Sequence, residues 1–185
     1  MKFEEYNGWP NFPSWDIYTA WTSYYETYQE LERIVKSDTS GRKVQRFIMS
    51  TVDAWKSGRL TGHEEAVQVQ IQDFLMNGVR RINWTLVYDV LRGNKPSLGE
   101  TDELTALAYN VLQPTDWRSI VAGAQYLTEA DERLRDWLEN QCVTWVESVE
   151  ARAYQSQVAL FVNKVLEVYY GVVDWQHVAS ALRGE

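Results

Sequence analysis

The side chains able to do chemistry are few in this chain, and their spacing limits what they could do. His63 opens the run His63-Glu64-Glu65-Ala66-Val67. This has the first two residues of the zinc-protease pattern H-E-x-x-H, but Val67 stands where the second metal ligand is needed. At the start of a helix and on a polar face, His63 is expected to be solvated. Asp174 and His177 lie one helical turn apart, a spacing that could grip a metal ion. Asp174, however, stands where a helix begins and has a sufficient role as its cap, and helical di-metal sites need several Glu and paired E-x-x-H motifs that this chain lacks. Cys142 lies in Trp137-Leu138-Glu139-Asn140-Gln141-Cys142 on a long helical stretch. A catalytic thiol needs a nearby His or a helix N-terminus to hold it as thiolate, and a buried structural cysteine fits this context better. Ser40-Gly41-Arg42-Lys43 lacks the preceding strand and second glycine of a phosphate-binding loop. Pairs such as Glu26 with Glu30 are ordinary on exposed helix faces. No catalytic, cofactor-binding or metal-binding residue is assigned, no cofactor is expected, and the chain reads as a non-enzyme.

Binding is the other route to function. Tyr6, Trp9, Phe12, Trp15, Tyr18, Trp21, Tyr24, Tyr25 and Tyr28 crowd the first part of the chain and cannot share one helix face. A thick aromatic core accounts for most of them, because such rings favour burial. Trp21, Tyr24 and Tyr28 are the residues expected to form a partner-docking surface, since exposed Trp and Tyr are enriched in binding hot spots. The expected partner is a host protein or protein complex, with a homodimer as a further option. The net charge of -8 disfavours nucleic acid and anionic membranes, both of which need a basic footprint; it also falls short of the carboxylate density of a DNA mimic. Arg80, Arg81 and Arg92 could still make a small basic patch. The alternative function is therefore a nucleic-acid-binding or nucleic-acid-processing protein with a dispersed carboxylate and arginine site.

The elements that must position these residues read as all-α. Hydrophobic residues make up 45% of the 185, no alternating strand pattern stands out, and apolar residues recur at helical spacing. One motif repeats: Ile82-Asn83-Trp84 opens a segment ending Leu91-Arg92-Gly93, Val173-Asp174-Trp175 opens one ending Leu182-Arg183-Gly184, and Thr115-Asp116-Trp117 begins a weaker copy. Asn83, Asp116 and Asp174 read as N-caps, Trp84, Trp117 and Trp175 as anchors, and Gly93 and Gly184 as stops. Tyr6 to Phe12 reads as an ordered arm. Ser14 is expected to cap a helix running through Tyr25 to Val35, and Thr128 with Asp131 reads as a capping box. Helices are also expected from about Arg42 to Trp55 and from about His63 to Arg81. Glu129 to Tyr170 lacks Gly and Pro, so it is either one long helix or two with a break near Ala153. The expected architecture is a single domain, 1–185, an irregular bundle of about seven to nine helices with repeated helix-turn-helix units. A sub-division into 1–93 and 100–185 falls at the Gly93–Gly99 segment.

The lone cysteine excludes an internal disulfide and a cysteine-rich metal site. No apolar run approaches the ~18 residues of a membrane span, and the opening Met1-Lys2-Phe3-Glu4-Glu5 lacks the apolar core of a signal peptide. The expectation is a soluble protein of the cytoplasm with no membrane partner.

Tyr6 to Trp21, with Gly8, Trp9, Asn11, Trp15 and Trp21, resembles the opening of a family of small uncharacterised proteins carried by phages, plasmids and other mobile elements. The Asp174-Trp175 helix with Val178 is similar to the D-W-x-x-I/V helices that end modules in that family. The resemblance covers the first thirty or so residues and the short D-W helices; the aromatic Tyr24-Tyr25-Glu26-Thr27-Tyr28 stands where members often have a more acidic turn. It implies a mobile-element accessory that binds and blocks a host factor, such as an inhibitor of a host defence complex of the anti-CRISPR or anti-restriction kind.

Overall fold

The computed structural model describes residues 3–185. Among them the chain forms eleven helices and no strand, apart from an isolated antiparallel bridge between Tyr6 and Trp9. In order they are α1 (Phe12–Thr22), α2 (Tyr25–Val35), α3 (Arg42–Lys56), α4 (Glu64–Arg80), α5 (Trp84–Leu91), α6 (Glu103–Leu112), α7 (Trp117–Ile120), α8 (Leu127–Glu147), α9 (Val149–Ala153), α10 (Gln157–Gly171) and α11 (Trp175–Arg183). α7 and α9 are only four and five residues long. The backbone divides into two compact units, Met1–Phe74 with Glu167–Glu185, and Leu75–Leu166. The division falls within α4 and α10. The Gly93–Gly99 segment lies inside the second unit, where it joins α5 to α6, two helices that pack on each other.

In the first unit α11 packs against α1, α2 and α3, and α2 also packs against α1 and α3. The arm begins with a tight turn. Asn7 and Gly8 both have positive φ, 50° and 79°, the signature of a type I′ turn, and the Tyr6 and Trp9 amides exchange hydrogen bonds of 3.0 and 2.8 Å across it. The Tyr6 ring then meets Phe12 and Trp15, and the Trp9 ring meets Tyr18 and His177. The arm is ordered, as expected.

The cap of α1 differs from expectation. It is Asn11, whose Oδ1 accepts from the Ser14 N–H at 2.9 Å and the Ser14 Oγ at 2.8 Å. Proline lacks an N–H and is favoured in the first turn of a helix, so the helix starts ahead of Pro13 and moves the cap upstream. Ser14 is fully buried and its Oγ accepts from the Asp174 N–H at 2.8 Å. Nor does one helix run through to Val35. The Thr22 and Ser23 hydroxyls bond back to the carbonyls of Tyr18 and Thr19, competing with the helical ladder, and Tyr24 is extended at φ -111°, ψ 123°. At the start of α3, the buried Asp38 carboxylate accepts from the N–H groups of Lys43 at 2.7 Å and Val44 at 2.9 Å. Gly41 has φ 74°, and a Cβ there would stand 2.0 Å from the Trp175 carbonyl oxygen. Only glycine satisfies both the left-handed turn and that approach.

The repeated motif is partly symmetrical. Asn83 caps α5 through Leu86 N–H at 3.1 Å, and Asp174 caps α11 through His177 N–H at 2.9 Å. Ile82 with Val87, and Val173 with Val178, are buried at the matching positions. Gly93 and Gly184 follow the two helices with positive φ. Asp116 makes no backbone cap: its carboxylate takes the Ser119 hydroxyl instead. In the second unit α8 packs against α5, α7 and α9. Trp84 and Trp117 are buried there, and Trp84 Nε1 donates to the Val79 carbonyl at 3.1 Å. Trp175 is only half-buried.

The Thr128 and Asp131 capping box does not form. α8 begins at Leu127, the Glu129 carboxylate accepts from the Gln125 N–H at 2.7 Å, and Asp131 accepts from the Thr85 hydroxyl at 2.6 Å. The longer Glu side chain reaches the free amide from the third helical position, leaving Asp131 to bond across to α5. The stretch from Glu129 to Tyr170 is broken: Ser148 caps α9 through Ala151 N–H at 3.1 Å, and an extended Tyr154 follows α9. No helix among the described residues is long and apolar enough to cross a membrane.

The burial contrast predicts unequal anchors. Trp84→Ala should cost about 3 to 5 kcal/mol, and Trp175→Ala less than half as much, read from urea denaturation. Equal losses would show that Trp175 is as much a core residue as Trp84. Asp174→Ala removes a cap and should cost about 1 kcal/mol; an unchanged unfolding midpoint would remove that role.

Candidate functional site

The bend that ends α1 and the glycine-rich turn that precedes α4 bring two distant segments together in the first unit. Residues 24–27, at the start of α2, and 62–66, at the start of α4, line a cleft of about 480 Å³. The histidine at its base is packed rather than solvated. His63 Nδ1 lies 3.1 Å from the Thr27 hydroxyl, and its ring meets Phe47 edge-on at 5.3 Å and Trp21 at 6.5 Å. These aromatic neighbours come from α1 and α3, which the local polarity around His63 did not reveal. Glu64 folds back to accept from the N–H groups of Thr61 and Gly62, and those bonds hold its carboxyl below the usual range. One turn along α2, Glu30 pairs with Arg33, which lowers its pKa, with His63 adding to the effect.

The three aromatics expected at a docking surface separate. Trp21 is 0% exposed and stacks edge-on with Phe47 at 5.9 Å, so it belongs to the core. Tyr24 is half-exposed and lines the cleft. Tyr28 is also half-exposed; its hydroxyl donates to Glu32, which pushes its pKa up. The residue that sequence reasoning passed over is Tyr25, 73% exposed at the rim, with its hydroxyl accepting from Gln29 Nε2 at 2.6 Å. Glu26 and Glu65 are exposed in the same lining. A usable signal was the Tyr24-Tyr25-Glu26 run directly after Thr22 and Ser23, where hydroxyls that bond back along the helix favour a bend.

A second feature is a carboxyl pair with one buried member, Asp16, and one exposed member, Asp73. Asp16 on α1 is 2% exposed. Burial first, then the charge of Asp73 on α4 and the hydrogen bond between the two side chains, raise its pKa to about 9. Two carboxyls can bond to each other only by sharing a proton, so Asp16 is the donor of the pair. At neutral pH burial and Asp73 favour its protonated form. Nearby, the buried Tyr170 hydroxyl donates to Gln70 Oε1, and burial raises its pKa as well, with Asp16 and Asp53 contributing.

The other sequence candidates have structural surroundings. Burial, then Glu139, pushes the Cys142 thiol up to about 12. His177 stacks on Trp9 at 4.8 Å, and no group of three or more His, Cys, Asp or Glu among the described residues could hold a metal ion. Arg81 Nε donates to Asn77 at 3.0 Å; Arg92 pairs with Asp89 at 2.8 Å and lies over the Tyr88 ring. Cations instead gather along α3, where Arg42, Lys43 and Arg46, with Arg33 of α2, line two shallow clefts of about 360 and 370 Å³. Comparison of the chain with protein-family models, with curated proteins and with solved structures finds no match.

The buried carboxyl gives a pH-dependent prediction. Folded, Asp16 keeps its proton up to about pH 9; unfolded, it loses it near 3.8. The native state therefore binds the extra proton, and stability falls as pH rises between those values, by up to about 1.4 kcal/mol per unit from this group. Asp16→Asn should gain on the wild type steadily from pH 5 to pH 8 in urea unfolding. Parallel stability curves would mean that Asp16 is ionised in the fold.

Proposed function

We propose that this chain is a non-enzymatic protein-binding protein, an accessory of a mobile element that docks on a host protein or complex and can act as an inhibitor of host defence. The observation that carries the binding reading is the aromatic cluster on α2. Tyr25 stands in water beside half-exposed Tyr24 and Tyr28, at the mouth of the 480 Å³ cleft. Tyrosines offer large contact area at low entropic cost, and next to a concavity they have the composition of a binding hot spot. The mobile-element part rests on the resemblance of the arm and of the D-W helix. Those two stretches meet in the first unit: Asn11 Nδ2 donates to the Val172 carbonyl at 2.8 Å, and α11 in turn packs against α2.

A second reading is nucleic-acid binding at the α3 stripe of Arg42, Lys43 and Arg46. Against it stands the scale of the charges, since three cations must act within a net charge of -8. Binding to single- or double-stranded oligonucleotides at low salt, lost on Arg42→Ala with Arg46→Ala, would favour this reading.

The docking surface is tested by affinity capture from host lysate, using wild type and a Tyr24→Ala, Tyr28→Ala double variant that melts with it. A host protein retained by wild type, lost by the variant and rebound after purification supports the proposal. Equal recovery by both proteins, or no recovery by a folded wild type, overturns it.

A further inference from the structure

We infer that the cleft between Tyr24 and Glu65 is a receptor for an arginine side chain presented by the partner, an assignment that rests on the protein-binding reading above. The lining contains Glu26, Glu64 and Glu65 and no Lys or Arg. Two helix N-termini also open onto it, and their dipoles favour anions with about half a unit charge each. Together they offset about one of the three carboxylates, so the cleft stays negative. Glu64 is held against its own turn by the Thr61 and Gly62 amides, which makes it a fixed wall. Glu26 and Glu65, exposed in the first turns of α2 and α4, remain as acceptors from two sides.

The aromatic lining narrows the ligand further. Tyr24 and Tyr25 offer ring faces that attract cations, and Gln29 fixes the Tyr25 hydroxyl at 2.6 Å. A planar guanidinium can stack on such a ring while its edge N–H groups bond carboxylates in pairs, whereas an ammonium acts as a point charge. His63 does not compete, because Thr27 holds its Nδ1 and Phe47 and Trp21 hold its ring. The volume of about 480 Å³ leaves room for the aliphatic stem and for flanking peptide.

The test is titration of acetyl-arginine amide into isotope-labelled protein at low salt, followed by amide chemical shifts. The expected result is saturable shifts at residues 24–27 and 62–66, weaker ones with acetyl-lysine amide and none with acetyl-norleucine amide. Tyr25→Ala and Glu65→Gln, both exposed positions, should each weaken binding by about two- to fivefold. Inorganic phosphate producing the same shifts, or arginine binding unchanged in a Glu26→Gln, Glu65→Gln double variant, would overturn the assignment. The same variant in the capture experiment separates the two proposals. A partner still held by it, yet lost with Tyr24→Ala and Tyr28→Ala, removes the arginine assignment and leaves the docking surface standing.

Discussion

The first unit depends on a short chain of hydrogen bonds between residues 11–14 and 172–174. The Asn11 side chain uses both ends: its Oδ1 caps α1 through Ser14, and its Nδ2 takes the Val172 carbonyl. Ser14 Oγ then accepts from the Asp174 N–H, and the Asp174 carboxylate caps α11. Two helix starts are thus satisfied by one network around buried Ser14, whose hydroxyl has a partner on each side. The glycine turn at Gly41 completes the lock, since the Trp175 carbonyl occupies the space a side chain would need.

What this network positions is α2. α11 packs against α1, α2 and α3 at once, so the bend at Ser23 and Tyr24 is held from behind while its outer side meets water. The cleft is backed by that packing and by the His63 and Thr27 contact. Asp16 has the opposite character: unlike buried Asp38, whose charge backbone N–H groups hold, it lies beside another carboxyl, so burial favours its neutral form and part of the stability of the unit varies with pH.

The sequence was legible where structure is local. Asn83 and Asp174 cap their helices, and Gly93 and Gly184 stop them, because all these bonds fall within one turn. Helix type was also readable from periodicity, whereas the stretch from Glu129 to Tyr170 could be read either as one helix or as two with a break near Ala153, and the structure decides for the break. Legibility failed where two local preferences compete. Pro13 outweighed Ser14 as the marker of the α1 start, and Glu129 outreached the Thr128 box at the start of α8. It failed again where distant segments meet. Trp21 and Tyr25 are both aromatic and four positions apart, but the intervening bend places one against Phe47 and the other in solvent. The cleft itself joins residues 24–27 to 62–66, and nothing local to either segment announces the other.

The partners in the Asn11 network lie 160 and 161 residues apart along the chain, and this orders the events of synthesis. At ribosomal rates of about 5 to 20 residues per second, the first helix waits roughly 10 to 30 seconds for the strand of backbone that completes its cap. Contacts of such long sequence separation form late in any case, because closing the loop costs entropy before it returns contacts. Leu75–Leu166, a contiguous stretch, emerges whole within that interval. Among the crowded rings, Trp9 and Phe12 wait longest, because His177 and Tyr169, which they meet in the fold, are among the last residues made.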